Sequence, residues 1–313
     1  MEYIRPSFLF SKHIETIFPA LLRKVKEIKY QPERISTPDE DFLDLNWVKN
    51  QSKRLVILCH GLEGNSNRSY ILGMGSAFYN SGYDVLAWNY RGCGDTMNLK
   101  PRFYHSGETD DLLTVVEYAS RLKYESISLV GFSLGGNMVL KLLGEHSASA
   151  SFITRAVAIS VPLDLDSSCT VISKNENWAY SFRFLRSLKQ KVRNKSRQMD
   201  LPNLDKLEQI QTIREFDNWI TGPLHGFQDA ADYYKQCSSI HFLPNIRTPT
   251  LIINARNDPF LSEKCYPTDI NAAYIKYLYP EHGGHVGFAL FNKNRLYWSE
   301  IMALKFISGG SHS

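Results

Sequence analysis

Residues 126–144 run SISLVGFSLGGNMVLKLLG: an apolar stretch, then Gly-x-Ser-x-Gly, then a second apolar stretch of helical type. A strand that turns sharply into a helix constrains this chain more than any other feature. It calls for a parallel sheet beneath the turn and helices on the faces of that sheet. The turn lifts Ser133 above the C-terminal edge of the sheet, and Gly131 and Gly135 leave room beside it. The backbone N–H of Leu134 opens the helix, where the peptide dipoles favour negative charge. The bland reading, a glycine-rich turn with a solvated serine, is weakened by the apolar runs on both sides.

The rest of the chain supplies such a sheet. Arg54 to Cys59 is a continuous apolar run, as a buried parallel strand requires. Further strands are expected at 83–88, 156–161, 250–254 and 273–278, with helices near 68–81 and 108–122 and from the serine turn to Glu145. Segments 25–36 and 42–49 flank the turn signal Thr37-Pro38-Asp39-Glu40-Asp41 and predict an antiparallel hairpin. Ile14, Ile17, Phe18, Leu21 and Leu22 suggest a short helix packed on the body. The fold class is α/β, a mostly parallel central sheet with an N-terminal antiparallel hairpin. Residues 164–235 break the alternation: they are polar, helical and rich in Lys and Arg. They read as an inserted helical cap between core segments 1–163 and 236–313. Within it, Arg183 to Arg197 carries seven basic residues and no acid. Weak contact of 183–197 with an anionic membrane surface is one reading, and a solvated helix face is the favoured one.

The 313 residues are 43% hydrophobic and 22% charged, ordinary globular values, and the net charge of +4 is too small and dispersed for a nucleic-acid partner. The five cysteines are odd in number and lack C-x-x-C spacing, which fits a reducing, cytoplasmic setting. The first residues lack the pattern of a signal peptide, and no apolar run reaches membrane-spanning length. No H-E-x-x-H or Cys/His cluster is present, so neither a metal nor a cofactor is expected. No oligomeric state is assigned.

A serine hydroxyl needs a base, and the base needs an orienting acid. In this architecture the order is Ser, Asp or Glu, His. Asp258 follows the strand TLIIN and fits the acid; Asp269 comes after Pro267, away from a strand end. In Pro280-Glu281-His282-Gly283-Gly284-His285, the glycines allow a loop that bends His285 over the sheet edge, while His282 suits a structural bond. His225 and His241 read as surface or packing histidines. The loop His60-Gly61-Leu62-Glu63-Gly64 is placed to offer the Leu62 N–H beside that of Leu134 to an oxyanion, with His60 and Glu63 bracing it.

Together these residues resemble the α/β-hydrolase superfamily, and in detail its YheT-like branch of bacterial YheT hydrolases, eukaryotic abhydrolase-domain proteins and medium-chain esterases. The matching stretches include DFLDLNW at 41–47, HGLEG at 60–64, NYRGC at 89–93, YHSGET at 104–109, GFSLGGN at 131–137, PLHGF at 223–227 and GGHVGF at 283–288. One departure is Gly94, where relatives are expected to carry Ser, in a loop outside the triad. The resemblance implies a serine hydrolase of short- to medium-chain carboxylic esters, with Ser133, Asp258 and His285 as triad and a small-molecule ester as partner. An acyltransferase or thioesterase would use the same acyl-enzyme, and a non-catalytic binding protein of the same fold is the third reading. His105 leaves two roles open: a donor facing the substrate pocket or, preferred, a buried tie between the Arg91–Gly94 loop and the core.

Overall fold

The computed structural model describes residues 1–25, 28–268, 270 and 272–309. Asp269 lies outside the described residues. Eight strands form one sheet: β1 (Gln31–Ser36), β2 (Phe42–Val48), β3 (Arg54–Cys59), β4 (Asp84–Asn89), β5 (Ser126–Phe132), β6 (Ile153–Ile159), β7 (Thr250–Ile253) and β8 (Ile275–Leu278). Their spatial order is β1-β2-β4-β3-β5-β6-β7-β8. β2 pairs antiparallel with both β1 and β4, and the remaining neighbours are parallel.

The apolar runs are explained by two covered faces. Along β3, Leu55, Ile57 and Cys59 enter one core cluster while Val56 and Leu58 enter the other. The first cluster includes side chains of α3 (Thr109–Ser120) and α4 (Leu134–Glu145). The second includes those of α2 (Ser69–Asn80) and α10 (Trp298–Ile307). Ahead of the sheet lies α1 (Lys12–Leu22), capped by the Ser11 hydroxyl, which accepts from the Ile14 N–H.

Between β6 and β7 the described chain is helical. It carries α5 (Leu165–Ile172), α6 (Trp178–Ser196), α7 (Ile213–Phe216), a π-helical turn over Asp217–Thr221, α8 (Gly222–Leu224) and α9 (Ala230–Cys237). We refer to this helical segment between two strands of the sheet as the cap; α9 ends at Cys237. Two lysines of the basic run 183–197 turn inward. Lys191 Nζ lies 2.6 Å from Glu63 Oε1, and Lys195 Nζ donates to Asn98 Oδ1 at 2.6 Å. Burial pushes the Lys195 ammonium down to about 8. Arg193 pairs with Glu208, whereas Arg183 and Arg186 are exposed and have no carboxylate partner among the described residues.

Several boundaries differ from expectation. The first strand begins at Gln31 rather than near 25. β6 begins at Ile153 and stops before Ser160, whose φ of 54° leaves the extended region. Glu108 takes the N-cap position of α3 without a side-chain bond, and the Ser106 N–H nearby donates to Tyr233 Oη. No described helix is long and apolar enough to cross a membrane. All five cysteines are free.

Candidate active site

The parallel strands β5, β6 and β7 end side by side, so the loops after them share one edge of the sheet. Ser133 occupies the link between β5 and α4 with φ 53° and ψ −119°. Its N–H donates to Ile159 O at 2.8 Å, and its carbonyl accepts from Asn137 N–H at 3.1 Å. Backbone approach explains both glycines. A Cβ on Gly135 would lie 2.5 Å from the carbonyl oxygens of Cys59 and His60, and one on Gly131 would collide with the Gly135 carbonyl.

His285 joins this turn to Asp258. Its Nε2 lies 3.0 Å from Ser133 Oγ, and its Nδ1 lies 2.8 Å from Asp258 Oδ2 and 3.1 Å from Oδ1. Asp258 Oδ1 also accepts the Phe260 N–H at 2.9 Å, and the Phe260 ring sits 4.2 Å from the imidazole. With Nδ1–H bonded to a carboxylate, Nε2 is left to accept the serine proton. His282 points elsewhere, with Nδ1 3.8 Å from Glu15 Oε1 and 3.4 Å from Asn257 Nδ2.

The loop carrying His285 is held by groups far away in sequence. Glu15 accepts the Gly283 N–H, Asn257 Oδ1 the Gly284 N–H at 3.0 Å, Thr16 Oγ1 the His285 N–H at 2.9 Å and Ser160 Oγ the Val286 N–H at 2.9 Å. Gly283 at φ 145° and Gly284 at φ 57° give the loop its bend. Glu15 and Thr16 escaped the sequence reading; the one signal was a carboxylate amid the apolar positions of residues 14–22, and in the structure Glu15 is buried.

On the other side of Ser133 lies the loop after β3. An ideal Cβ on Gly61 would stand 3.3 Å from Ser133 Cβ. Among the described residues, the N–H groups of Leu62 and Leu134 have no hydrogen-bond acceptor. His60 braces this loop: its Nδ1 bonds Gly61 O at 2.8 Å, its Nε2 accepts the Tyr90 N–H at 3.4 Å, and its ring stacks on Tyr90 at 3.7 Å. Burial drives the imidazole down to about 3, so it stays neutral. Glu63, at φ 52°, ties the loop to the cap. Its carboxylate accepts from Tyr104 Oη at 2.8 Å, Ser187 Oγ at 2.5 Å and Lys191 Nζ at 2.6 Å, and Tyr104 Oη in turn accepts the Glu63 N–H at 2.8 Å. Burial alone would raise this carboxyl; the Lys191 charge and these bonds outweigh it and hold it below its ordinary value.

His105 does not reach the Arg91–Gly94 loop, which corrects the preferred expectation. That loop has its own anchor: Arg91 pairs with Asp39, Asp41 and Asp111. His105 Nδ1 instead accepts the Gly107 N–H at 3.1 Å, Nε2 lies 3.3 Å from Glu108 Oε2, and the ring packs 4.7 Å from that of His225. It also lines the smaller of two chambers that meet at Ser133 and His285.

The smaller chamber, about 140 Å³, runs under the cap past Leu165, Ile172, Ile213, Tyr234 and Leu261. Asp217 and Thr221 line it as well, and burial lifts the Asp217 carboxyl to about 6. The larger, about 590 Å³, lies between the His60–Gly64 loop, α1 and α6. Leu62, Phe184 and Phe260 border both. Among the described residues, no group of three or more His, Cys, Asp or Glu side chains is arranged to hold a metal ion.

Comparison with known proteins fits this geometry. The sequence pattern of the alpha/beta hydrolase fold matches residues 54–289. The chain belongs to the α/β-hydrolase family. Within it, this hydrolase is 37% identical over 298 residues to an Escherichia coli protein named "Putative esterase YheT", covering 92% of the chain and 87% of that relative, which places it in the YheT-like branch. It is 29% identical to a Saccharomyces cerevisiae monoacylglycerol lipase over 84% of the chain and 60% of the relative, and 28% identical to human phospholipase ABHD3 over 88% and 70%. Among solved structures, a Pyrococcus furiosus esterase, Pf2001, superposes with a TM-score of 0.60 at 18% identity, covering 92% of this chain and 98% of that one, a likeness of fold.

Proposed function

We propose that this α/β hydrolase is a serine carboxylesterase in which Ser133, His285 and Asp258 act as triad. The observation that carries the reading is the His285 imidazole, 3.0 Å from Ser133 Oγ and 2.8 Å from Asp258 Oδ2, at the junction of two chambers. Ser133 Oγ attacks the ester carbonyl while His285 Nε2 takes its proton. The acceptor-free N–H groups of Leu62 and Leu134 stabilise the oxyanion that forms. His285 returns the proton to the leaving alkoxide, then activates water against the acyl-enzyme. Asp258 fixes the tautomer and offsets the charge on the imidazolium.

The acyl chain occupies the smaller, mostly apolar chamber and the alcohol the larger one. A cavity near 140 Å³ is close to the ~150 Å³ that accommodates a benzene ring, which favours short acyl chains. The alcohol side is roomy, and this supports a second outcome: an alcohol replaces water and the enzyme transfers its acyl group. A fluorophosphonate probe tests the nucleophile. It should label the wild-type protein and leave Ser133→Ala unlabelled; labelling of the variant overturns the assignment. A series of p-nitrophenyl esters of rising chain length, with and without added alcohol, reads the acyl preference and the acceptor.

A further inference from the structure

The larger chamber reaches solvent between α1 and the first half of α6. Ile17 and Leu21 of α1 and Arg183 of α6 line it and are exposed. The two helices lie against each other there. Lys12 Nζ is 3.2 Å from Glu176 Oε1, just ahead of α6, and His13 Nδ1 is 3.2 Å from Tyr180 Oη with the rings stacked. Leu21 at the mouth is 69% exposed, and on α6, next in sequence to the lining residues Ala179 and Arg183, Trp178 is 67% and Phe182 60% exposed. Trp178 and Phe182 are one helical turn apart and their ring centroids are separated by 6.5 Å. An exposed pair of large aromatic side chains on one helix face is unfavourable in water and marks a candidate contact surface.

Charge decides what covers it. α6 carries six Lys and Arg and no acid. Lys191 and Lys195 turn inward, Arg193 is paired and the half-buried Lys189 donates to Glu208 O at 3.3 Å, so the exposed charge without a bonded partner on α6 is that of Arg183 and Arg186, beside the aromatic pair. The nearby acid Glu176 is neutralised by Lys12. Trp and Phe flanked by arginines on one helix suit the headgroup layer of a lipid surface, where rings enter the acyl boundary and cations meet phosphate.

We infer that α1 and the start of α6 form a docking surface for an anionic phospholipid interface, with the chamber mouth turned toward the lipid. The inference goes beyond the esterase reading and does not depend on which residue is the nucleophile. Docked in this way, the protein admits a lipid-borne ester to the larger chamber without passage through water.

Flotation of the full chain with vesicles tests it, using phosphatidylcholine alone and phosphatidylcholine mixed with phosphatidylglycerol. The wild-type protein should rise with the mixed vesicles and far less with the neutral ones. Trp178→Glu/Phe182→Glu should lower the bound fraction about tenfold or more. Its hydrolysis of soluble p-nitrophenyl acetate should stay within about twofold of wild type, which shows that the variant is folded. Arg186→Gln should weaken binding to the mixed vesicles about fivefold. Ser133→Ala should float like wild type, so loss of the esterase reading and loss of the docking reading are separately visible. Three outcomes overturn the inference: no flotation with the mixed vesicles, flotation unaffected by Trp178→Glu/Phe182→Glu, or a dimer in sedimentation that this double substitution dissolves while vesicles stay unbound.

Discussion

Two histidines three residues apart meet different surroundings. His285 is wedged between the Asp258 carboxylate, the Phe260 ring and Ser133 Oγ, whereas the His282 side chain is 41% exposed and faces Glu15. A base must lie within hydrogen-bond reach of the proton it removes, and His285 meets that condition. His285→Ala should lower kcat by about 10⁴-fold or more, and Asp258→Asn by about 10⁴-fold through loss of the correct tautomer. His282→Ala should cost less than about tenfold. Steady-state kinetics on a soluble p-nitrophenyl ester read all three, and equal losses for His282 and His285 would remove His285 as the base. At this scale much was legible in the sequence. Gly131, Gly135, Gly283 and Gly284 announce tight turns through their own chemistry, and a turn constrains the residues within it.

Elements contribute contacts that no local pattern announces. α1 supplies Thr16 Oγ1 to the His285 N–H, across 269 residues of sequence. Thr16→Ala should shift the imidazole and lower kcat about ten- to hundredfold with KM little changed, while Thr16→Ser restores most of the rate. A loss in both variants alike would point to packing by the methyl group instead. α6 acts on the opposite side of the site through the Lys191–Glu63 pair, with side chains 10% and 8% exposed. Removing one partner of a buried pair strands the other charge, so Lys191→Met and Glu63→Gln should each cost about 3 kcal/mol or more. The double variant should cost clearly less than the sum, as denaturant unfolding of the complete double-mutant cycle would show. Full additivity would mean that the two side chains do not act as a pair. Both single variants should also slow turnover, because Glu63 adjoins the Leu62 N–H.

At the scale of the whole molecule, buried titratable groups set the pH dependence of stability. Burial pushes His60 down to about 3, His225 to about 4 and His105 well below the ordinary imidazole value. Unfolded, each binds a proton near pH 6.5, so unfolding below that pH takes up protons and these groups destabilise the fold as pH falls. Glu108 and Asp217 work in the opposite direction. Burial lifts them to about 7 and about 6, so the folded state retains protons that the unfolded chain has already lost. With three histidines against two carboxyls, the melting temperature should fall between pH 6.5 and pH 5. Asp217→Asn removes part of the opposing effect and should steepen that fall. Calorimetry across this range checks both statements; a flat or rising curve would mean that these histidines protonate in the folded protein.

The sequence by itself determined the layered α/β architecture, the hairpin at its edge and the turn that carries Ser133. It did so because alternating apolar runs, turn residues and paired glycines act on their near neighbours. It also put Asp258 and His285 on loops after late strands, because a parallel sheet gathers such loops at one edge. Tertiary structure alone decided the partners. Glu15 and Thr16 meet the His285 loop, Lys191 turns from a charged helix face to Glu63, and His105 bonds within its own turn while Asp39, Asp41 and Asp111 hold Arg91. These outcomes depend on which distant surfaces the closed fold presses together and on the cost of leaving a buried charge unpaired. Neither quantity is contained in the spacing of neighbouring residues.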